Sequence, residues 1–286
     1  EACGSNVVFD SMVLGLPDNT GDAYFADCEV VVKGRYLNQR VAPCPLEVRG
    51  AAAAWGTDGR LTQWLSTQHA QGAVAPLAAT NGVDPSMVHV KTPDVGGGFG
   101  SKIYIYPEEI ACLWASMKSG RSVKWTADRT EAFLTDAHGR DHVSTAKIGF
   151  DRDGKIVGLK VNTKANLGAY MSLFSSAVPT YLYATLLSGQ YDIANIYCDV
   201  QAVYTNTVPV DAYRGAGRPE ACYVIERIME TAAREMGVDP AALRAKNFVR
   251  SFPHQTPVIM AYDSGDFDAN LKQAQEAADV AGFSAR

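Results

Sequence analysis

Residues 93–102 read Pro-Asp-Val-Gly-Gly-Gly-Phe-Gly-Ser-Lys, with four glycines between positions 96 and 100 interrupted only by Phe99. A backbone without Cβ atoms takes positive φ freely, comes close to whatever lies beside it, and can turn successive N–H groups toward one anion. Two familiar phosphate loops are excluded by single positions. A P-loop needs glycine directly before its lysine and Ser or Thr after it, whereas Lys102 stands between Ser101 and Ile103. A dinucleotide fingerprint starting at Gly96 needs glycine at 101, which is Ser101. The loop is built for an anionic ligand that neither motif describes, or it is a plain turn between a strand and a helix.

What surrounds the loop narrows the choice. The chain has 286 residues, 47% hydrophobic and 20% charged, enough for a substantial core and long enough for two lobes. A net charge of -5 with no basic run argues against a nucleic-acid partner. Six scattered cysteines (3, 28, 44, 112, 198, 222) include no C-x-x-C pair. They read as reduced, mostly buried thiols of a cytoplasmic protein, and they exclude an iron–sulfur ligand run within these residues. The start, Glu1-Ala2-Cys3-Gly4-Ser5, has neither the basic nor the apolar region of a signal peptide and no initiator Met, which leads us to expect a piece of a longer protein. Ala165 to Tyr191 carries no charge, but Pro179 and its serines, threonines and tyrosines read as a buried segment and not as a membrane span.

Periodicity and punctuation predict an α+β fold, with mixed β-sheets packed against helices. Strands are predicted at Cys28 to Lys33, Leu61 to Ser66, Val88 to Lys91, Ser144 to Phe150, Ile156 to Lys164 and Tyr197 to Tyr204. Asp153-Gly154 marks a hairpin between the fourth and fifth. Pro107-Glu108-Glu109 opens a helix that stops at Gly120. A longer helix runs from Arg218 to Met236 with Val224, Ile225, Ile228, Met229, Ala232 and Ala233 on one face. Asp239-Pro240 starts a short helix, and Asp266 to Val280 forms the last, ended by Gly282.

Three loops end strands with unusual polar chemistry. Gln68, after Ser66-Thr67, carries an amide that could donate to a bound oxygen. The glycine loop is the second. In the third, Asp211 to Glu220, Arg214 lies between Tyr213 and two glycines just before the long helix. Arginines beside a helix N-terminus favour a bound anion or a developing oxyanion. Taken singly, each residue also fits a solvated loop or a surface ion pair.

In order, Ser66-Thr67-Gln68, Gly96-Gly97-Gly98-Phe99-Gly100 and Ala212-Tyr213-Arg214-Gly215-Ala216-Gly217-Arg218 resemble the signatures of the molybdenum-binding large subunit of the xanthine oxidase, aldehyde oxidase and aerobic carbon monoxide dehydrogenase family. Asn38-Gln39-Arg40 through Pro45-Leu46-Glu47-Val48-Arg49-Gly50 resembles the segment before the first loop, and Tyr262 to Asp266 that beyond the third. The resemblance implies that residues 1–286 are the first molybdopterin-binding domain, in two lobes of about 1–140 and 141–286. The family's N-terminal domain and its C-terminal molybdopterin-binding half are absent. It further implies a molybdenum ion held by a pterin dithiolene, in the cytosine dinucleotide form, with no protein side chain as metal ligand.

By the same resemblance Gln68 hydrogen-bonds the apical oxo group, and Gly97, Gly98, Phe99 and Gly100 pack their backbone against the metal centre. Arg214 lies beside the substrate, followed by Gly215. The implied reaction is hydroxylation with water as oxygen source, the electrons leaving through 2Fe-2S clusters to FAD. Those groups belong to an iron–sulfur small subunit and an FAD-binding medium subunit, in a dimer of heterotrimers.

Two departures bear on substrate. The carbon monoxide branch holds copper with a cysteine where this chain has Gly215, and purine hydroxylases carry a glutamate where it has Ile103. An aldehyde-type substrate is therefore expected, with an N-heterocycle second. A copper-type carbon monoxide dehydrogenase and a non-catalytic binding or assembly module are the alternatives. The family's general base lies in the C-terminal half, and neither Glu220 nor Asp211 is assigned that role.

Overall fold

The computed structural model describes residues 4–15 and 20–283, so Cys3 lies outside the described residues. In chain order the elements are β1 (Val7–Leu14), β2 (Val30–Asn38), β3 (Gly50–Trp55), β4 (Leu61–Leu65), α1 (Ala70–Asn81), β5 (Val88–Lys91), α2 (Pro107–Ser119), β6 (Val123–Thr126), α3 (Arg129–Thr135), β7 (His142–Phe150), β8 (Ile156–Gly168), β9 (Asn195–Tyr204), α4 (Arg218–Met236) and α5 (Pro240–Lys246). A two-residue strand pair, β10 (His254–Gln255) with β11 (Ala261–Tyr262), and α6 (Phe267–Ala277) complete it.

Two mixed sheets carry the molecule. One runs β1-β9-β8-β7-β2, with β8 and β9 parallel, and the other β5-β4-β3-β6, with β4 and β5 parallel. The apolar stripe of α4, from Val224 to Ala233, closes one face of the first sheet over Val32, Ile148, Leu159 and Val161. The second sheet buries Ala51, Ala53, Leu61 and Leu65 against Leu77 of α1 and Leu113 of α2. The two cores do not separate at one point along the chain, because β2, from before residue 40, pairs with β7, from beyond 140.

Several local expectations are borne out by these elements. The Asp153-Gly154 hairpin joins β7 to β8, with Asp151 Oδ1 accepting from the N–H groups of Asp153 and Lys155. Helix α4 has the predicted bounds. Others need correction. The strand read from Cys28 begins at Val30 and continues to Asn38. Only Cys112 and Cys198 of the five described thiols are buried; Cys44 and Cys222 are exposed. The segment 165–191 is buried only in part: Tyr170 is 75% and Leu173 60% exposed, whereas Val178, Tyr183 and Leu187 lie in the core. The exposed stretch is strapped to the third loop by Phe174 N–H donating to Asp211 Oδ2 at 3.0 Å, which holds it off the core.

Candidate active site

Parallel pairing of β4 with β5, in which Gln63 stands opposite Val90, sends both strands out at the same edge of the small sheet. Open sheets place ligands beyond such carboxyl ends. Gln68 and the glycine loop consequently lie side by side. Lys102 C=O accepts from Gln68 N–H at 2.8 Å and from the Thr67 hydroxyl at 2.9 Å. Gln68 Oε1 in turn accepts from Gly100 N–H at 2.9 Å and from Lys102 N–H at 3.4 Å. With its oxygen committed to the loop, the amide nitrogen of this exposed side chain is left without an acceptor among the described residues.

The glycines are needed first for packing between loops. A Cβ at Gly98 would run into the Gln68 amide, and one at Gly100, whose φ is +104°, into the Ala212 carbonyl of the third loop. Phe99 itself takes a positive φ of 54°, the left-handed region that non-glycine residues rarely occupy. Among the described residues the successive N–H groups of Gly97, Gly98 and Phe99 have no acceptor.

The third loop docks through Arg214 N–H, which donates to Phe99 C=O at 2.8 Å, with the guanidinium 5.8 Å from the Phe99 ring centre. Its conformation is held from behind by Arg140, which donates to Tyr213 C=O at 2.7 Å and Arg214 C=O at 2.9 Å. Arg140 also stands 3.4 Å from the fully buried Glu220 carboxylate. Burial pushes the Glu220 carboxyl up, and the Arg140 charge opposes that push. Asp211, fully buried as well, accepts from the Phe174 N–H. Both carboxylates are thus tied to the scaffold. Gly215 lies one residue beyond Arg214 and turns toward Pro219 at the start of α4.

The structure therefore brings Gln68, Gly97, Gly98, Phe99, Gly100 and Arg214 into one cluster, in which Gln68, Phe99 and Arg214 are exposed and Gly98 and Gly100 buried, with Gly215 at its margin. Arg140 is a supporting residue that no motif reveals. Two more, Glu47 and Lys102, meet through their side chains at 2.9 Å behind the glycine loop; Lys102 closes the glycine-rich stretch, but its partner is not indicated by it. Glu47 belongs to a segment singled out only as a whole, and a charged residue in a loop offers no sequence signal of a buried pairing.

The cluster presents donors without acceptors among the described residues: three backbone N–H groups, the Gln68 amide nitrogen and the Arg214 guanidinium. Such a set fits an oxygen-rich, anionic group. A model of the molybdopterin cofactor-binding domain matches residues 4–248. The carbon monoxide dehydrogenase large chain of Hydrogenophaga pseudoflava is 40% identical over 90% of this chain and 33% of its own length. The nicotine 6-hydroxylase large subunit of Paenarthrobacter nicotinovorans is 33% identical over 93% of this chain and 34% of its own. The crystal structure of quinoline 2-oxidoreductase from Pseudomonas putida 86 superposes with a TM-score of 0.91 at 30% identity, covering 98% of this chain and 36% of that one. The chain thus spans about a third of the length of these relatives. With its three strand-end loops joined in one donor cluster and its match running through all of them, the chain belongs to the molybdopterin cofactor-binding domain family.

Proposed function

We propose that residues 1–286 are the first molybdopterin-binding domain of a molybdenum hydroxylase large subunit that oxidises an aldehyde-type substrate. The carrying observation is the junction of three loops at which Gln68, the 97–99 backbone and Arg214 offer hydrogen-bond donors with no acceptor among the described residues. When bound, the molybdenum–pterin group supplies the two-electron redox centre. The chain's own residues bind and orient around it. Gln68 Nε2, its Oε1 fixed by Gly100, donates to an oxygen of the group, and the 97–99 N–H groups receive its anionic edge. Arg214 faces the substrate and stabilises negative charge developing on its oxygen. The exposed Phe99 ring forms the apolar wall beside that arginine. Glu220 Oε1 faces Arg140 and Asp211 accepts from the Phe174 N–H, and we assign neither carboxylate the proton.

Substrate class rests on two positions. A cysteine at 215 would need the positive φ of 106° found there, and its Cβ would collide with the Pro219 ring, which argues against a copper-holding thiol in this loop. Ile103 offers no polar contact to a purine. An N-heteroaromatic substrate is the second reading, favoured by the names of the nicotine and quinoline enzymes among the similar proteins. We extend the proposal to a cytosine dinucleotide tail on the pterin and to FAD and iron–sulfur partner subunits in a dimer of heterotrimers. A reducing, cytoplasmic setting suits the five free thiols among the described residues.

Purification with the partner subunits, followed by molybdenum and pterin analysis and dye reduction, tests the reading. Near-stoichiometric metal, activity with aldehydes, and little activity with carbon monoxide or xanthine are expected. A preparation free of pterin refutes the cofactor assignment, and carbon monoxide oxidation with stoichiometric copper refutes the substrate class.

A further inference from the structure

One carboxylate oxygen, Glu47 Oε2, accepts three donors drawn from two separate loops. The Ser66 hydroxyl comes from the first loop at 2.6 Å; Gly96 N–H and Lys102 Nζ come from the two flanks of the glycine loop at 2.8 and 2.9 Å. Lys102 Nζ also donates to the Glu47 backbone carbonyl at 2.9 Å, and Glu47 N–H donates to Gly96 C=O at 3.2 Å. The Lys102 side chain is wholly buried, with Glu47 as its ion-pair partner. A buried ammonium is tolerated only with such compensation, and stripping its partner away is far costlier than losing a surface pair. The backbone of the same lysine grips Gln68 and Thr67 through its C=O and N–H. The pair therefore sits between the mouth of the glycine loop and the Gln68 amide, touching both.

We infer that Glu47 and Lys102 are positioning residues: a clasp between a buried ammonium and a partly exposed carboxylate that sets the glycine loop and, through it, the direction in which the Gln68 amide donates. The inference rests on the proposed function for its catalytic consequence but not for its mechanics. Gly96, Gly100 and Lys102 N–H groups all end on atoms that the clasp holds, namely Glu47 Oε2 or Gln68 Oε1. Removing the carboxylate frees Gly96 directly and leaves the Lys102 ammonium with the Glu47 carbonyl as its remaining acceptor, which loosens the segment that carries the Gly100 and Lys102 N–H groups. The Gln68 side chain is then free to rotate, and its donor no longer keeps one direction toward the group that the site would hold.

The test uses the chain assembled with its partner subunits and three variants: Glu47→Ala, Glu47→Gln and Gln68→Ala. In Glu47→Ala, hydrogen exchange at the 96, 100 and 102 amides is expected to rise roughly tenfold or more while α4 and β8 keep their protection. Glu47→Gln, which keeps one acceptor oxygen without the charge, falls between and covers the case in which the alanine variant does not fold. Turnover per bound molybdenum drops in the Glu47 variants with KM unchanged, and adding Gln68→Ala costs no more than Gln68→Ala alone, because both act through one amide. Wild-type exchange in both Glu47 variants, or losses that multiply in the double variant, overturns the clasp. If the wild type carries neither molybdenum nor pterin, the functional reading falls, and the exchange measurements alone still decide the clasp.

Discussion

Gly98 and Gly100 carry no side chain because Gln68 and Ala212 occupy the space that a Cβ would need. Gly98→Val is expected to force the Gln68 amide off Gly100 and to abolish molybdenum loading while leaving the fold intact; a loaded variant would remove the loop from the site. Gln68→Ala tests chemistry where Gly98→Val tests binding. Its expected result is a protein that keeps its cofactor but turns over roughly a hundredfold slower, the usual cost of one preorganised donor at a reacting oxygen. Unchanged turnover in a fully loaded variant would return Gln68 to the solvated loop. These residues were legible because their types are unusual where they stand: an amide after an apolar strand, glycines in a run, an arginine before a helix. Glu47 and Arg140, and the pairing of Lys102, were not, since their role lies in partners up to 80 positions away, as with Arg140 and Glu220.

Among the elements, α2 shows how a helix start is stabilised by burial and not by a charge in water. Glu109, in its first turn, accepts from Tyr106 N–H at 3.1 Å and is almost wholly buried. That burial outweighs the pull of the Tyr106 N–H and Arg49 and pushes its carboxyl up from the ordinary 4.5 to about 7. The folded protein thus holds a proton that the unfolded chain releases between those values. Stability falls as pH rises through that window and levels off above it. At 1.36 kcal/mol per unit, the decline due to this group is on the order of 3 kcal/mol. Glu109→Gln keeps an acceptor for Tyr106 N–H and carries no titrating proton. Thermal unfolding from pH 4 to 8 is expected to show a flatter curve for the variant than for the wild type, and parallel curves would reject the assignment.

Other elements separate local from tertiary causes. Helix α4 was readable because its apolar positions keep helical spacing for nineteen residues. Strand β3, Gly50-Ala-Ala-Ala-Ala-Trp55, was not: alanine favours helix, and here β4 and β6 pair with it on both sides. Its small side chains let α2 approach until Cys112 Sγ donates to Ala51 C=O at 3.7 Å. Helix α1 was equally hidden, by Pro76 in its interior and an alanine-rich composition without a polar face.

For the molecule as a whole, the site is an open ledge, with Phe99 39% exposed and Leu46, next to Glu47, 97% exposed. The chain spans about a third of its relatives' length. We expect these 286 residues alone to oxidise no aldehyde with any acceptor, and activity to appear only once the C-terminal half and the flavin and iron–sulfur partners are all present. Turnover by the purified chain would end the proposed division of labour.

From sequence alone came the α+β class, the hairpin, the helices with clear periodicity, and the three loops with their order, because each is a property of neighbouring residues. Tertiary structure alone decided that β2 joins a sheet completed more than a hundred residues later, that an alanine run is a strand, and that the glycines serve loop-to-loop contact. It also decided which charges meet. Glu47 and Lys102 are 55 positions apart and meet only where the parallel strands β4 and β5 bring their exits to one edge, and no local pattern encodes that meeting.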